Sequence, residues 1–206
     1  MNKKVLCIEP HYLPSIAYFR KLCQHDKVLL EINHRYQKQS YQNRCYIGTS
    51  LGMQKVVIPV RHKKAQLYKE VEVSDISEWQ HNHYRAFAVA YGRTPYFEMI
   101  WDLLQPIYNR QHRYLINYNI ALLKVCMKLL DLTCTFTLTD TYQASFPPSV
   151  LDARYTLDPK EEERNFTIGY VPRFPVAEPS KVSILDLLVM EGKGSRSLLE
   201  ASLFDN

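Results

Sequence analysis

The chain has 206 residues, 46% of them hydrophobic and 23% charged, with a formal net charge of +5. That is the composition of an ordinary globular chain able to bury a real core as one domain, and it excludes low-complexity, repetitive and disulfide-stapled classes. Charge is unevenly spread: residues 1–64 hold twelve Lys/Arg against three Asp/Glu, a balance of +9, and residues 65–206 hold fourteen against eighteen, a balance of −4.

The first eight residues start basic but offer only a four-residue apolar run before Glu9, too short for a secretory leader, and no run elsewhere approaches a membrane span. A cytoplasmic chain with no membrane insertion is expected. Lys4 to Glu9 reads as a buried strand. Pro10 to Leu13 is a tight connection, and a helix follows with Pro14 in its first turn and Ile16, Phe19, Leu22 and Cys23 inward. Lys27 to Ile32 is a second strand. Strand, short helix and strand within about thirty residues predict a βαβ unit with parallel strands, whose ligands sit beyond the carboxyl ends. Two polar segments, Glu9 to Pro14 and Asn33 to Arg44, leave from those ends. Cys45 to Thr49 and Lys55 to Val60 read as a hairpin around Leu51-Gly52.

The middle third is helical. His83 to Tyr91 has helical apolar spacing, Thr94-Pro95 reads as an N-cap followed by proline, and Pro106 is expected to end or kink that helix. Tyr114 to Leu132 is the strongest helix, with a narrow polar face. Thr133 to Thr139 is a candidate strand. Six of the eleven prolines lie from Pro147 to Pro179, with the run Glu161-Glu162-Glu163, and predict an irregular excursion or lid. A last helix, Ile184 to Met190, returns to the core.

The expected fold is therefore α/β or α+β: an N-terminal βαβ unit and hairpin in a mixed sheet, packed by a helical middle third, with a proline-rich excursion and a final short helix. As one domain over residues 1–206 it divides into 1–75, mainly sheet with one helix, 80–132, helical, 147–180, irregular or lid, and 183–191, the terminal helix.

The block Asn33 to Arg44 carries three cations, several amides and hydroxyls and two tyrosines between apolar runs. Such a mixture suits an anionic, hydroxyl-rich ligand, with Lys38 and Arg44 as contacting cations and Gln39, Tyr41 and Asn43 as hydrogen-bond partners. His11, in the turn after the first strand, is a candidate base or phosphate ligand, against a plain turn histidine bonded to backbone. Glu31 and His34 bracket the end of the second strand as a weaker acid/base pair. His81 and His83 diverge on a helix start, so a metal site is not expected, but His83 shares a face with Phe87 and is a candidate for the cleft. Asn119 falls on the apolar side of its helix and must have a partner, in a neighbouring loop or a pocket. Ser183-x-x-Asp186 reads as a capping box. The five cysteines are expected to be reduced and mostly buried.

Pro10-x-Tyr12-Leu13-Pro14 with Tyr18-Phe19, then Lys38-Gln39-Ser40-Tyr41-x-Asn43-Arg44, Ile58-Pro59-Val60, Trp79 with His83 and Ala90-Tyr91, Pro95-Tyr96-Phe97 and Ser183-Ile184-Leu185-Asp186-Leu187-Leu188 run in order over nearly the whole chain. Together they resemble the WbqC-like family, although Glu9 stands where many members carry glutamine. The resemblance implies a bacterial protein associated with surface polysaccharide, or O-antigen, biosynthesis, acting on a nucleotide-linked or amino sugar. It implies acyl or aminoacyl transfer with His11 or His83 as base and Lys38, Asn43 and Arg44 holding an anionic donor or acceptor; Glu31 stands beside them as a catalytic candidate, and Tyr12, Gln39 and Tyr41 as substrate contacts, from the residues themselves. No cofactor is named by the residues: no Walker loop, Gly-x-Gly-x-x-Gly or nucleophile motif is present. A non-catalytic module binding RNA or a polysaccharide-assembly protein through the same basic half is the other reading, nucleic acid ranking below a small-molecule ligand.

Overall fold

Alternating short apolar runs near both ends of the chain build a sheet that the middle of the chain covers. In this computed structural model, which describes residues 4–75, 78–160 and 169–201, β1 (Val5–Ile8) and β2 (Lys27–Leu30) flank α1 (Ile16–Cys23), the predicted βαβ unit. Ser15 caps α1, its hydroxyl accepting from the Tyr18 amide. The chain then leaves the sheet. It forms the hairpin β3 (Arg44–Thr49) and β4 (Gly52–Val57), the short pair β5 (Val60–Arg61) and β6 (Glu72–Val73), and three helices, α2 (Trp79–Tyr91), α3 (Phe97–Asn109) and α4 (Leu115–Leu129). It returns as β7 (Thr135–Leu138) and β8 (Val150–Asp152), and ends in α5 (Ile184–Glu191) and α6 (Ser195–Ala201).

The sheet has four parallel strands in the order β7-β2-β1-β8. The fold is α/β, with the hairpins as separate two-stranded antiparallel sheets beside the parallel one. Because paired residues of parallel strands share a face, Leu6, Val28 and Phe136 point one way with Ile8 and Leu30. The four aliphatic side chains are buried with Phe19 and Leu22 of α1, and the Lys124 ammonium of α4 lies over the Phe136 ring at 5.7 Å. The opposite face carries Cys7, Leu29 and Thr137. The connection 139–149 must carry the chain from one edge strand to the other, and it runs as a strap along a cleft of about 460 Å³ lined by Leu29, Thr137, Phe146, Pro147 and Val150.

Several expectations are corrected. Residues 150–152, inside the stretch 147–180 read as irregular or lid, form β8: three residues between prolines and polar groups are too few to show a period, and backbone pairing with β1 makes them a strand. Thr94-Pro95 does not start a helix. The Thr94 hydroxyl donates to Tyr91 O at the end of α2, and α3 begins at Phe97. Pro106 does not end α3; it lies inside the helix, three residues before the last, Asn109, where one ladder bond is lost. At Gly192 the chain has φ +53, and a Cβ there would lie 2.9 Å from the Tyr96 ring, so glycine both turns the chain and clears α3's start. The acidic run Glu161–Glu163 and residues 202–206 lie outside the described residues. No helix among the described residues is long and apolar enough to cross a membrane.

Candidate functional site

Strand order places β1 between β2 and β8, whose connections depart in opposite directions; at such a switch point the carboxyl ends open a crevice. The residues leaving those ends are polar and buried: Glu9 and His11 after β1, Glu31, Asn33 and His34 after β2, and Arg154 after β8. Glu9 and Glu31 follow the register pair Ile8 and Leu30, and the Glu31 amide donates to Ile8 O at 3.0 Å, so two carboxylates stand side by side on neighbouring strands.

His11 is held between two rings, stacked on Tyr41 at 5.3 Å and tilted against Tyr18 at 4.9 Å. Its Nε2 lies 3.3 Å from Glu9 Oε1, while Nδ1 is buried with no partner. Burial raises the Glu9 carboxyl, but the hydrogen bonds it accepts, from His11 first, outweigh burial and hold the group below the usual carboxylate range. The Tyr155 amide also approaches both Glu9 oxygens, at 3.2 and 3.3 Å. Tyr155 adopts φ +60, a strained conformation for a bulky residue, and its ring stands edge-on to His34 at 5.5 Å.

Glu31 is fully buried. Its Oε1 accepts from the Asn33 amide at 2.7 Å and the Thr139 hydroxyl at 3.0 Å, and Oε2 lies 3.5 Å from Arg154 Nη1. Arg154 is engaged chiefly elsewhere. Its Nε and Nη2 grip Asp152 at 2.8 and 2.6 Å, Nη1 donates to Gln143 O at 2.8 Å, and Tyr142 and Phe146 lie over the guanidinium at 5.0 and 4.8 Å. Those hydrogen bonds hold the Asp152 carboxyl below its ordinary range. His34 accepts at Nε2 from Gln42 Nε2 at 2.7 Å; Gln42 Oε1 accepts from the Gln37 amide at 3.1 Å, which fixes the Gln42 amide that way round. The proton of neutral His34 is therefore on Nδ1, a buried donor with no acceptor. Burial pushes the His34 pKa down, against the pull of Glu9 and Glu31.

The sequence-based site residues divide. His11 and Glu31 sit together at the carboxyl edge. Tyr41 is buried against His11, its carbonyl accepting from the Tyr12 amide at 2.9 Å. Asn43 is buried, its Nδ2 donating to Ile58 O at 2.9 Å, and Arg44 is half-buried on β3. Lys38 and Gln39 are exposed on a turn where Gln39 has φ +62. Within the block Asn33 to Arg44, the side chains of Asn33, Tyr41, Gln42 and Asn43 turn inward, where each meets a backbone or imidazole neighbour, while Gln37 and Gln39 stay exposed. Tyr12 and His83 lie elsewhere in the interior, in one hydrogen-bonded chain: the Tyr12 hydroxyl donates to His83 Nδ1 at 2.7 Å, and His83 Nε2 donates to Val57 O at 2.9 Å. Both His83 nitrogens are therefore taken, and burial pushes its pKa down to about 4.

Asn119 fixes a loop, donating to Gln42 O at 2.7 Å and Tyr68 OH at 2.5 Å. Ser183 caps α5 by accepting from the Leu185 amide, but Asp186 turns away to accept from Tyr170 at 3.0 Å, so the reciprocal half of the box is absent. Arg154, Thr139 and Tyr155 were not legible as site residues; an arginine two residues beyond a three-residue strand gives no pattern. The five cysteines form no disulfide, and burial pushes Cys7, Cys23 and Cys126 up to about 12, so these three are not ready thiolates. Among the described residues, no three His, Cys, Asp or Glu are grouped to hold a metal ion.

The chain is 30% identical over 137 residues to Uncharacterized protein Rv1507c of Mycobacterium tuberculosis, a match covering 65% of this chain and 56% of that protein. The match thus spans little more than half of that relative. No solved structure matches. The profile of the WbqC-like protein family matches residues 9–157, opening on Glu9 and closing just past Tyr155, so the whole buried cluster lies inside it. With well over half of its length in that match, the chain belongs to the WbqC-like protein family.

Proposed function

We propose that this protein is a cytoplasmic transferase of bacterial surface polysaccharide biosynthesis that acts on a nucleotide-linked or amino sugar, with His11 as general base. The observation that carries this reading is the His11–Glu9 pair at the carboxyl edge of the parallel sheet. Glu9 accepts from His11 Nε2 and thereby leaves the lone pair of Nδ1, buried and unpartnered, free to take a proton. The reaction that fits is acyl or aminoacyl transfer. The substrate nitrogen or oxygen bonds to the acyl carbon of a thioester donor, its proton passes to His11 Nδ1, and the carbon–sulfur bond breaks with release of the thiol. Direct transfer suits a chain whose cysteines are held as thiols.

Thermal unfolding against nucleotide sugars, acyl-coenzyme A thioesters and short RNA tests this. A bound nucleotide sugar at a hundred times its Kd should add about 2.7 kcal/mol to stability. His11→Ala should keep the fold and lower transfer roughly a hundredfold or more. Stabilisation by RNA alone, vanishing as salt is raised, would replace the transferase with the binding-module reading.

A further inference from the structure

The buried cluster is out of electrostatic balance. Glu9 and Glu31 are 4% and 0% exposed, and Asp152 stands beside them on the next strand. Arg154 supplies a guanidinium to these carboxylates, and its short bonds go to Asp152 and Gln143 O, leaving Glu31 at 3.5 Å. Lys69 stops one residue short, donating to Asn33 Oδ1 at 2.7 Å. The contacts from His11 and from the Tyr155 amide to Glu9 are long, at 3.2 to 3.3 Å, so its oxygens retain acceptor capacity. Two adjacent interior carboxylates with so little cationic partner carry a desolvation cost that a bound cation would offset.

A second feature is independent of charge. The Nδ1–H of His34 is a buried donor with nothing to donate to, in a ring that is 2% exposed. A buried donor left unmatched is costly, because it has given up its bond to water for nothing. It calls for an oxygen, not a cation. His11 Nδ1, in a ring 1% exposed, is the matching unpartnered acceptor.

We infer that the carboxyl edge of the sheet is an amino-alcohol site: a primary ammonium lodges against Glu9 and Glu31, and a neighbouring hydroxyl oxygen of the same ligand accepts from His34 Nδ1. An amino sugar presents that pair of groups on adjacent carbons. The inference rests on the sugar-transferase reading and narrows it, making the amine, not a phosphate, the group recognised in the interior. The ammonium is a three-proton donor: His11 Nδ1 takes one, which frees the nitrogen lone pair to attack the thioester carbon, a carboxylate takes a second as the amide forms, and the departing thiolate receives the proton held on His11. Tyr155 closes the site, since its amide lies on Glu9 and its ring against His34, and its strained backbone is what must turn to admit the ligand.

The experiment is calorimetric titration of the full chain with 2-, 3- and 4-amino-deoxyglucose, glucose, N-acetylglucosamine and a nucleotide sugar lacking an amine. At least one amino sugar should bind, and glucose and N-acetylglucosamine should bind at least roughly tenfold more weakly, the worth of one charge-assisted contact. Glu9→Gln, which keeps an acceptor for the Tyr155 amide, should lose that preference for the free amine while its circular dichroism is unchanged. Glu31→Gln should do the same, so that misfolding of either variant leaves the other to decide. Equal binding of amine and N-acetyl sugars, or an undiminished preference in the folded variant, would overturn the inference. Binding of the amine-free nucleotide sugar alone would overturn it while leaving the transferase reading standing; binding of no sugar would remove both.

Discussion

At the scale of single residues, the polar groups inside this protein separate into those that are finished and those that are not. His83 is finished: it bridges Tyr12 and Val57 O, and Tyr12 in turn meets the Tyr108 hydroxyl at 2.5 Å. With a folded pKa of about 4 against an ordinary 6.5, His83 takes up a proton more readily in the unfolded chain. Its contribution is therefore fully present above about pH 6.5 and is lost as pH falls toward 4, a difference of roughly 3 kcal/mol. His83→Gln, which keeps a donor for Val57 O, should flatten the fall in unfolding free energy over that window, as read by denaturant titrations at several pH values. Asn119 is satisfied at its amide nitrogen, which ties Gln42 O and Tyr68 OH together while Oδ1 is left without a partner, and Tyr68 donates to Pro10 O at 2.7 Å. Asn119→Ala should lower stability by about 3 kcal/mol, since it strands a buried carbonyl and weakens the hold on both site loops. His11 and His34 each keep one buried ring nitrogen without a hydrogen-bond partner among the described residues.

At the scale of elements, what was legible depended on how far local signals reach. The βαβ unit, the β3–β4 hairpin and α4 each declare themselves within a few residues, through the Ser15 cap, a two-residue turn closed by Gly52 at φ +101, and a long apolar face. His11 and Glu31 could be read as candidates because they directly follow strands that were themselves legible. β8 could not be read, since its only support is pairing with a strand almost the whole chain away, and Arg154 and Tyr155 were lost with it. Asn43 and Tyr41 were read as ligand contacts because composition reports polarity but not which way a side chain turns. The end of α4 shows a local rule broken. Asp131 takes the left-handed position, φ +50, with its amide on Lys128 O and the Leu132 amide on Met127 O, a place that glycine fills without strain. Its carboxylate reaches only Arg196 at 3.5 Å and is almost fully exposed, so little is forfeited by removing it. Asp131→Gly should therefore raise stability by about 0.5–1 kcal/mol, measurable as a higher denaturation midpoint with unchanged slope.

At the scale of the whole molecule, Arg154 latches the strap 139–149 onto the sheet through Gln143 O, Tyr142 and Phe146, and the same guanidinium faces Glu31. Arg154→Met should cost about 3 kcal/mol, because buried Glu31 is left without its cation. Amide exchange should then accelerate across residues 140–149 while α2, α3 and α4 keep their protection; uniform acceleration would mean that the strap is no separate unit. The strand order carries a further consequence, in time. Leu6 meets Val28 after 22 residues but its other neighbour, Leu151, only after 145. During synthesis at about 5–20 residues per second, the outer edge of β1 therefore stands open for on the order of ten seconds after β2 has paired. An open edge of apolar strand is a template for the wrong partner, so the newborn chain is most exposed to misassembly well before its last strand arrives, and its yield in the cell depends on what shields that edge meanwhile.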